Sequence, residues 1–265
     1  MKLLTLNTHS LMENDYNEKL NTFVSYVNRI KPDVIALQEI MQPMDGDVVN
    51  YSHINVGNIS LKKGNHALNI AKELKDYNLI WCGFKKSYDM FDEGLAILTP
   101  YSVVKTQLIT LSPFDDYDNW KTRKALGIYI DGQWFYSVHM GWWGDRASPF
   151  EYELNKLLEK MPSNSQFWLM GDFNSIASEK GKGYDLMCRC GLLDTYNLAI
   201  SKDDGITAST NIDGWKTSQK SERVRIDYIF TNKKTKIDSS FTVFNGKNEK
   251  MVSDHFGVIV TTGEE

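Results

Sequence analysis

With 265 residues, 42% of them hydrophobic, the chain has apolar material for a sizeable core and no stretch with the composition of a disordered segment. Its net charge of −4 argues against gripping duplex nucleic acid, because that binding is driven by a basic excess that neutralises phosphates. No apolar run has membrane-spanning length, residues 1–7 are too short for a secretory signal, and Cys82, Cys188 and Cys190 form neither a zinc spacing nor an even disulfide framework. The expectation is a soluble cytoplasmic monomer, folded as one domain over residues 1–265.

Residues 2–8 form a short apolar run expected to be a strand, and Leu20, Phe23, Val24, Val27 and Ile30 then recur at helical spacing. Pro32 and Asp33 end that pattern. Val34-Ile35-Ala36-Leu37 follows as a continuous apolar run suited to a strand buried on both faces. A right-handed strand–helix–strand unit would bring Asn7 and Glu39 to the same sheet edge. Residues 41–65, with Pro43, Gly46, Gly57 and Gly64, show little periodicity and suggest a long loop. A helix capped by Asn65 should bury Leu68, Ala71 and Leu74.

Strands are expected at residues 79–82, 95–98, 103–111, 125–130 and 134–138, the last two joined by an Asp131-Gly132 hairpin. Ser148-Pro149-Phe150-Glu151 has the form of a capping box with proline in the first turn, opening a helix that presents Phe150, Leu154, Leu157 and Leu158 inward. Phe167-Trp168-Leu169-Met170 is a buried strand running into Gly171-Asp172-Phe173-Asn174. Further strands are expected near residues 225–230, 241–244 and 256–260.

Six polar clusters fall at strand ends: Leu6-Asn7-Thr8-His9, Leu37-Gln38-Glu39, Ser137-Val138-His139, Gly171-Asp172-Phe173-Asn174, Arg225-Ile226-Asp227-Tyr228 and Ser253-Asp254-His255. Together they offer hard oxygen ligands for a divalent ion, a base for water and donors for a phosphoryl group. Alternation would aim Asp172 and Asn174 to one side if the strand persisted, although Gly, Asp and Asn also make turns. Glu39 needs a partner at a buried strand end, and Mg²⁺ is suited to that role. Asn7 is either a neutral metal ligand or the group that orients Glu39. Asp227 has His255 as its candidate partner, an arrangement that sets the imidazole tautomer. His139 supplies a second imidazole donor, and Asp254 can complete the metal site. Trp142 and Trp143, in a glycine-bounded loop after His139, are either half-buried aromatics or a wall that stacks on a sugar ring. Lys62-Lys63, Lys85-Lys86 and Lys121-Thr122-Arg123-Lys124 suggest scattered surface cations rather than a nucleic-acid rim.

In this order the clusters resemble those of the endonuclease/exonuclease/phosphatase superfamily, over essentially the whole chain from Asn7 to His255. The resemblance implies an α/β (α+β) fold of the deoxyribonuclease I-like type, a four-layer sandwich of two packed mixed β-sheets flanked by helices. It implies Glu39 as Mg²⁺ ligand with Asn7 beside it and Asp254 near the metal, Mn²⁺ being the other candidate ion. Asp172 is then the group that activates water, Asn174 its positioning partner, and His139 with the Asp227–His255 pair the transition-state stabilisers. The opening Leu-Asn-Thr-His-Ser and the His-Met-Gly-Trp-Trp-Gly-Asp stretch are similar to a bacterial subgroup of maltose 6-phosphate phosphatases. The implied activity is a metal-dependent phosphomonoesterase for a small phosphorylated sugar. The rivals are an abasic-site nuclease and a sphingomyelinase-like phosphodiesterase.

Overall fold

The computed structural model describes residues 1–209 and 223–263. Strand β1 (Lys2–Asn7) leads through helix α1 (Tyr16–Ile30) into β2 (Val34–Pro43), the short β3 (Ile54–Asn55), helix α2 (His66–Glu73) and the hairpin of β4 (Asn78–Ser87) and β5 (Phe91–Thr99). Next come β6 (Lys105–Thr110), β7 (Lys124–Ile130), β8 (Gln133–His139), helix α3 (Phe150–Glu159), β9 (Gln166–Asp172) and helix α4 (Gly183–Arg189). The remainder holds β10 (Leu193–Asp194), α5 (Thr195–Leu198), β11 (Ala199–Lys202), β12 (Ala208–Ser209), β13 (Arg223–Val224), β14 (Asp227–Thr231), β15 (Ile237–Val243) and β16 (Gly257–Thr262).

Among the described residues these strands make two large mixed sheets, ordered β11-β15-β16-β1-β2-β5-β4-β3 and β10-β14-β9-β8-β7-β6. The apolar runs alternate between two cores, which is why they show no polar face. Leu3, Val34, Ala36 and Ile97 of the first sheet meet Leu126, Ile128, Phe135, Trp168 and Met170 of the second. Their neighbours Leu4, Ile35, Leu37 and Leu98 turn outward onto Phe23 and Val27 of α1 and Leu68 and Ala71 of α2. Tyr136, Val138, Leu169 and Phe230 cover the far face of the second sheet with Phe150, Leu154 and Leu157 of α3. The result is the four-layer sandwich of two sheets flanked by helices. Each fully buried side chain of this kind contributes about 1.5–3 kcal/mol.

Strands β1 and β2 are parallel, with Asn7 opposite Gln38, so the expected strand–helix–strand unit forms. The Asn65 side chain accepts from the Leu68 N–H at the start of α2, and Asp131 and Gly132 turn the β7–β8 hairpin with φ of 44° and 78°. Two local expectations fail. The supposed loop of residues 41–65 begins as strand, because β2 continues to Pro43 by pairing with β5, and β3 lies inside it. Ser148 does not cap α3: the N-cap is Pro149. The Ser148 hydroxyl instead binds buried Glu153, whose other oxygen takes the Gly141 N–H at 2.8 Å. A bridge to the Gly141 loop therefore replaces the local cap.

Candidate active site

Three strands of the second sheet end level with one another. His139 of β8 is in register with Asp172 of β9, and Asp172 with Asp227 of β14. Gly171 permits this, since a Cβ there would lie 1.9 Å from the Val138 carbonyl oxygen of the neighbouring strand. From the first sheet, Asn7 ends β1, and a register shift between Leu37 and Ile40 holds Glu39 at φ 53°. Such a bulge re-aims a side chain. The sheets are tied directly beneath: the Gln38 amide donates to Ser137 Oγ at 2.9 Å, and that hydroxyl donates to the Leu37 carbonyl at 2.9 Å. Ser253 Oγ donates to the Asn7 carbonyl at 2.7 Å and accepts the His255 N–H at 3.2 Å, which brings His255 to the same edge.

Asp172 is the focus. Asn7 Nδ2 donates to its Oδ2 at 3.1 Å and to Glu39 Oε1 at 2.9 Å. His139 Nε2 lies 3.7 Å and His255 Nε2 3.8 Å from the same Oδ2, separations that a water or a ligand oxygen bridges. Oδ1 accepts the Asn174 N–H at 2.8 Å. The strand does not persist to Asn174 as the alternation argument required: Asn174 adopts φ 47° and donates through Nδ2 to the Met140 carbonyl at 2.9 Å. A left-handed Asx turn, which asparagine tolerates, does the placing.

The charges divide unequally. Burial and the neighbouring Asp227 charge push the Asp172 carboxyl up to about 7, against the opposing influence of His255. Burial and the cations Arg123, Lys85 and His255 hold His139 well below the usual imidazole range, so it is neutral. Burial would also neutralise His255, but Asp227 and Asp172 raise it well above that range. The edge therefore carries one neutral and one cationic imidazole beside a carboxyl that titrates near neutrality.

These groups line a cleft of about 300 Å³. It contains Glu39, His139, Asp172, Asn174, Asp254, His255 and Trp142 from the sequence-based set. Asp227 stands behind His255. Trp143 does not line it and packs on Phe150 with ring centroids 5.8 Å apart. Lys85, Glu93, Trp120, Arg123 and Tyr88 line the cleft as well; the sequence alone did not single out Glu93, Trp120 or Tyr88, and it placed Lys85 and Arg123 on the surface. Lys85, Arg123 and Lys124 are buried, not surface cations. Their apolar neighbours in β4 and β7 were the available signal. Arg225 of the fifth cluster is structural, pairing with Asp194 at 2.6 Å against the Tyr196 ring.

The donor set suits a hard divalent cation. After burial, the charges of Glu93 and Asp254 raise the Glu39 carboxyl, marking a site short of positive charge. Glu39 and Asp254 both offer carboxylate oxygens to the cleft. Asn7 is placed to orient Glu39 and Asp172, since its amide nitrogen donates to both carboxylates and its oxygen accepts the His9 N–H at 3.3 Å. His9, next to Asp254, is held up at about 9: burial works against it, while the bond to Glu13 and the charges of Asp254 and Glu39 prevail. Its Nδ1 pairs with Glu13 at 2.7 Å.

The Endonuclease/Exonuclease/phosphatase family model matches residues 4–255. An endonuclease/exonuclease/phosphatase family protein from Leptotrichia buccalis is 30% identical, with a TM-score of 0.89 over 100% of both chains. The mannosyl-6-phosphatase Bt3783 of Bacteroides thetaiotaomicron has a TM-score of 0.72 at 18% identity over 100% of both chains. TDP2 from D. rerio, complexed with single-strand DNA product, gives 0.64 at 15% identity, over 100% of this chain and 99% of that one. These last two likenesses are of fold alone. No curated protein matches. The family model, the Leptotrichia relative and the convergent strand ends agree: the chain belongs to the endonuclease/exonuclease/phosphatase family, whose members are hydrolases.

Proposed function

We propose that this protein is a Mg²⁺- or Mn²⁺-dependent phosphomonoesterase for a small phosphorylated sugar such as maltose 6-phosphate, working as a cytoplasmic monomer. The observation that carries the reading is the arrangement around Asp172 Oδ2, with Asn7, His139 and His255 directed at one oxygen of a carboxyl that titrates near 7. Such a carboxyl is poised to take a proton from water at neutral pH. The amide nitrogen of Asn174 is committed to Met140, which leaves its oxygen to accept from that water. Glu39 and Asp254 would hold the cation, which supplies charge neutralisation for the phosphoryl group and the leaving alkoxide. His139 and cationic His255 donate to the non-bridging oxygens, where charge gathers as the ester bond breaks. Water attacks in line and gives its proton to Asp172, the ester oxygen leaves as an alkoxide that takes a proton from solvent, and no covalent phosphoenzyme forms.

The sugar part rests on the cleft rim. Trp120 and Tyr88 are 52% and 44% exposed beside Trp142, and exposed aromatic faces suit a pyranose ring. The name of the Bacteroides neighbour is in keeping with this. The cytoplasmic setting rests on two exposed free thiols, Cys188 and Cys190. Among the described residues no helix is long and apolar enough to cross a membrane. The deciding experiment screens sugar phosphates and nucleotides for phosphate release, abasic DNA for strand cleavage and sphingomyelin for phosphocholine release, each with Mg²⁺ and with chelator. Metal-dependent release from sugar phosphates is expected. Cleavage of DNA or of the phospholipid without sugar-phosphate turnover would reject the reading.

A further inference from the structure

Arg123 is a buried cation on the cleft wall that the reaction scheme above leaves without a task. It precedes β7, and only 3% of it is exposed. Its Nη1 donates to the Trp120 carbonyl at 3.1 Å, and the guanidinium carbon lies 5.7 Å from the Trp142 ring centroid. Its buried Nε has no hydrogen-bond partner. Nearby cations are all matched: Lys85 by Glu93 at 2.9 Å, Lys121 by Asp145 at 2.7 Å and Lys124 by Asp115 at 2.6 Å. Among the described residues, no carboxylate comes within the 4.0 Å of an ion pair with Arg123.

Burying a guanidinium with carbonyl acceptors but no carboxylate in ion-pair range, and with one N–H unsatisfied, is costly. A protein that keeps one on a cleft wall retains it for an anion that arrives from solution. The location narrows which anion. Arg123 lines the same cleft as His139, Glu39 and Asp172, and His139 lies within 4.0 Å of both Glu39 and Asp172. An anion on Arg123 thus stands beside the reacting group and not at a remote subsite.

Resting on the phosphomonoesterase reading, we propose that Arg123 anchors the substrate's terminal phosphoryl group and selects monoesters over diesters. A phosphate monoester loses its second proton at about pH 6 and is largely dianionic at neutral pH. It presents three non-bridging oxygens. In a diester one of those positions carries a second ester group, a poor acceptor with no charge, and the substituent meets the guanidinium. The planar fork of arginine matches two phosphate oxygens at once, which a lysine cannot do. The neighbouring Trp120 and Trp142 rings make the site optically reportable.

The test compares the full chain with its Arg123→Met and Arg123→Lys variants. Three readouts are used: turnover of p-nitrophenyl phosphate and of bis(p-nitrophenyl) phosphate; tryptophan fluorescence titrated with inorganic phosphate in chelator, where the protein's own residues act alone; and the thermal midpoint in chelator. For Arg123→Met, kcat/KM on the monoester is expected to fall at least ~100-fold while the diester changes by no more than ~5-fold. Arg123→Lys should fall between. The phosphate titration should saturate with the wild type and vanish with Arg123→Met, whose thermal midpoint in chelator without phosphate should be no lower than the wild type's. Equal losses on both substrates, a wild type that does not bind phosphate in chelator, or a midpoint that drops with the phosphate titration retained, would each overturn the role of Arg123. In those cases a preference of the wild type for the monoester leaves the phosphomonoesterase reading standing. A wild type that turns over the diester but no monoester ends both.

Discussion

Asp227 holds His255 by one ring nitrogen, its two carboxylate oxygens lying 3.0 and 3.2 Å from Nδ1. That contact keeps the proton on Nδ1, stabilises the imidazolium and leaves Nε2 directed at Asp172. Asp227→Asn preserves the shape and removes the charge. It should lower kcat by ~10²–10⁴-fold with an unchanged circular dichroism spectrum. Combined with His255→Ala, the losses should not add, because the two residues act as one unit. Additive losses would mean that the pair does not work together.

A carboxyl that accepts a proton from water must first be ionised. Burial and Asp227 set Asp172 at about 7, so acidification empties the active form and kcat/KM should fall as pH drops through that region. A bound cation favours the ionised form, so saturating metal should shift this limb to lower pH and never to higher. Steady-state profiles at two metal concentrations measure both effects. A profile with no acid limb would remove Asp172 as the base.

If Glu39 holds the cation, Glu39→Gln should raise the Mg²⁺ or Mn²⁺ concentration for half-maximal activity by at least ~10-fold. It also removes one of the mutually repelling carboxyls. The metal-free protein should therefore be no less stable than the wild type, which thermal denaturation in chelator can check. An unchanged metal requirement would exclude Glu39 as a ligand.

His66 is a buried histidine outside the cleft. Its Nδ1 lies 2.8 Å from the Tyr16 hydroxyl, which in turn accepts from Asn69 at 3.0 Å, so the phenol proton is donated to His66. Burial lowers its pKa from 6.5 to about 4. Between those values the unfolded chain takes up a proton that the native state refuses, so stability is full above 6.5 and declines toward 4. The loss is about 3 kcal/mol once both pKa values are passed. His66→Gln should flatten that part of the stability–pH curve in urea titrations. An unchanged slope would contradict the assignment.

The fold was legible wherever periodicity and burial coincided. Continuous apolar runs such as Val34-Ile35-Ala36-Leu37 feed two cores at once, and the hairpin and Asn65 cap are local chemistry that needs no distant partner. Residues 41–43 were misread as loop because their strand character comes from β5, which follows after more than forty residues. The Ser148 cap failed for a similar reason. Its hydroxyl found Glu153, which the Gly141 loop holds in place.

The cluster residues, and the pairing of Asp227 with His255, could be named from residue types at strand ends. Sequence alone thus determined the inventory of acids, amides and imidazoles and the order in which strands deliver them. It did not decide what those groups carry. His139 and His255 are the same residue type at similar strand ends, yet one faces Arg123 and Lys85 and is neutral, while the other faces Asp227 and Asp172 and is charged. The register of neighbouring strands brings Lys85 and Arg123 into the interior and leaves Trp143 on the α3 side. Charge state, burial and reach depend on distances between segments far apart in the chain, and folding alone sets those distances.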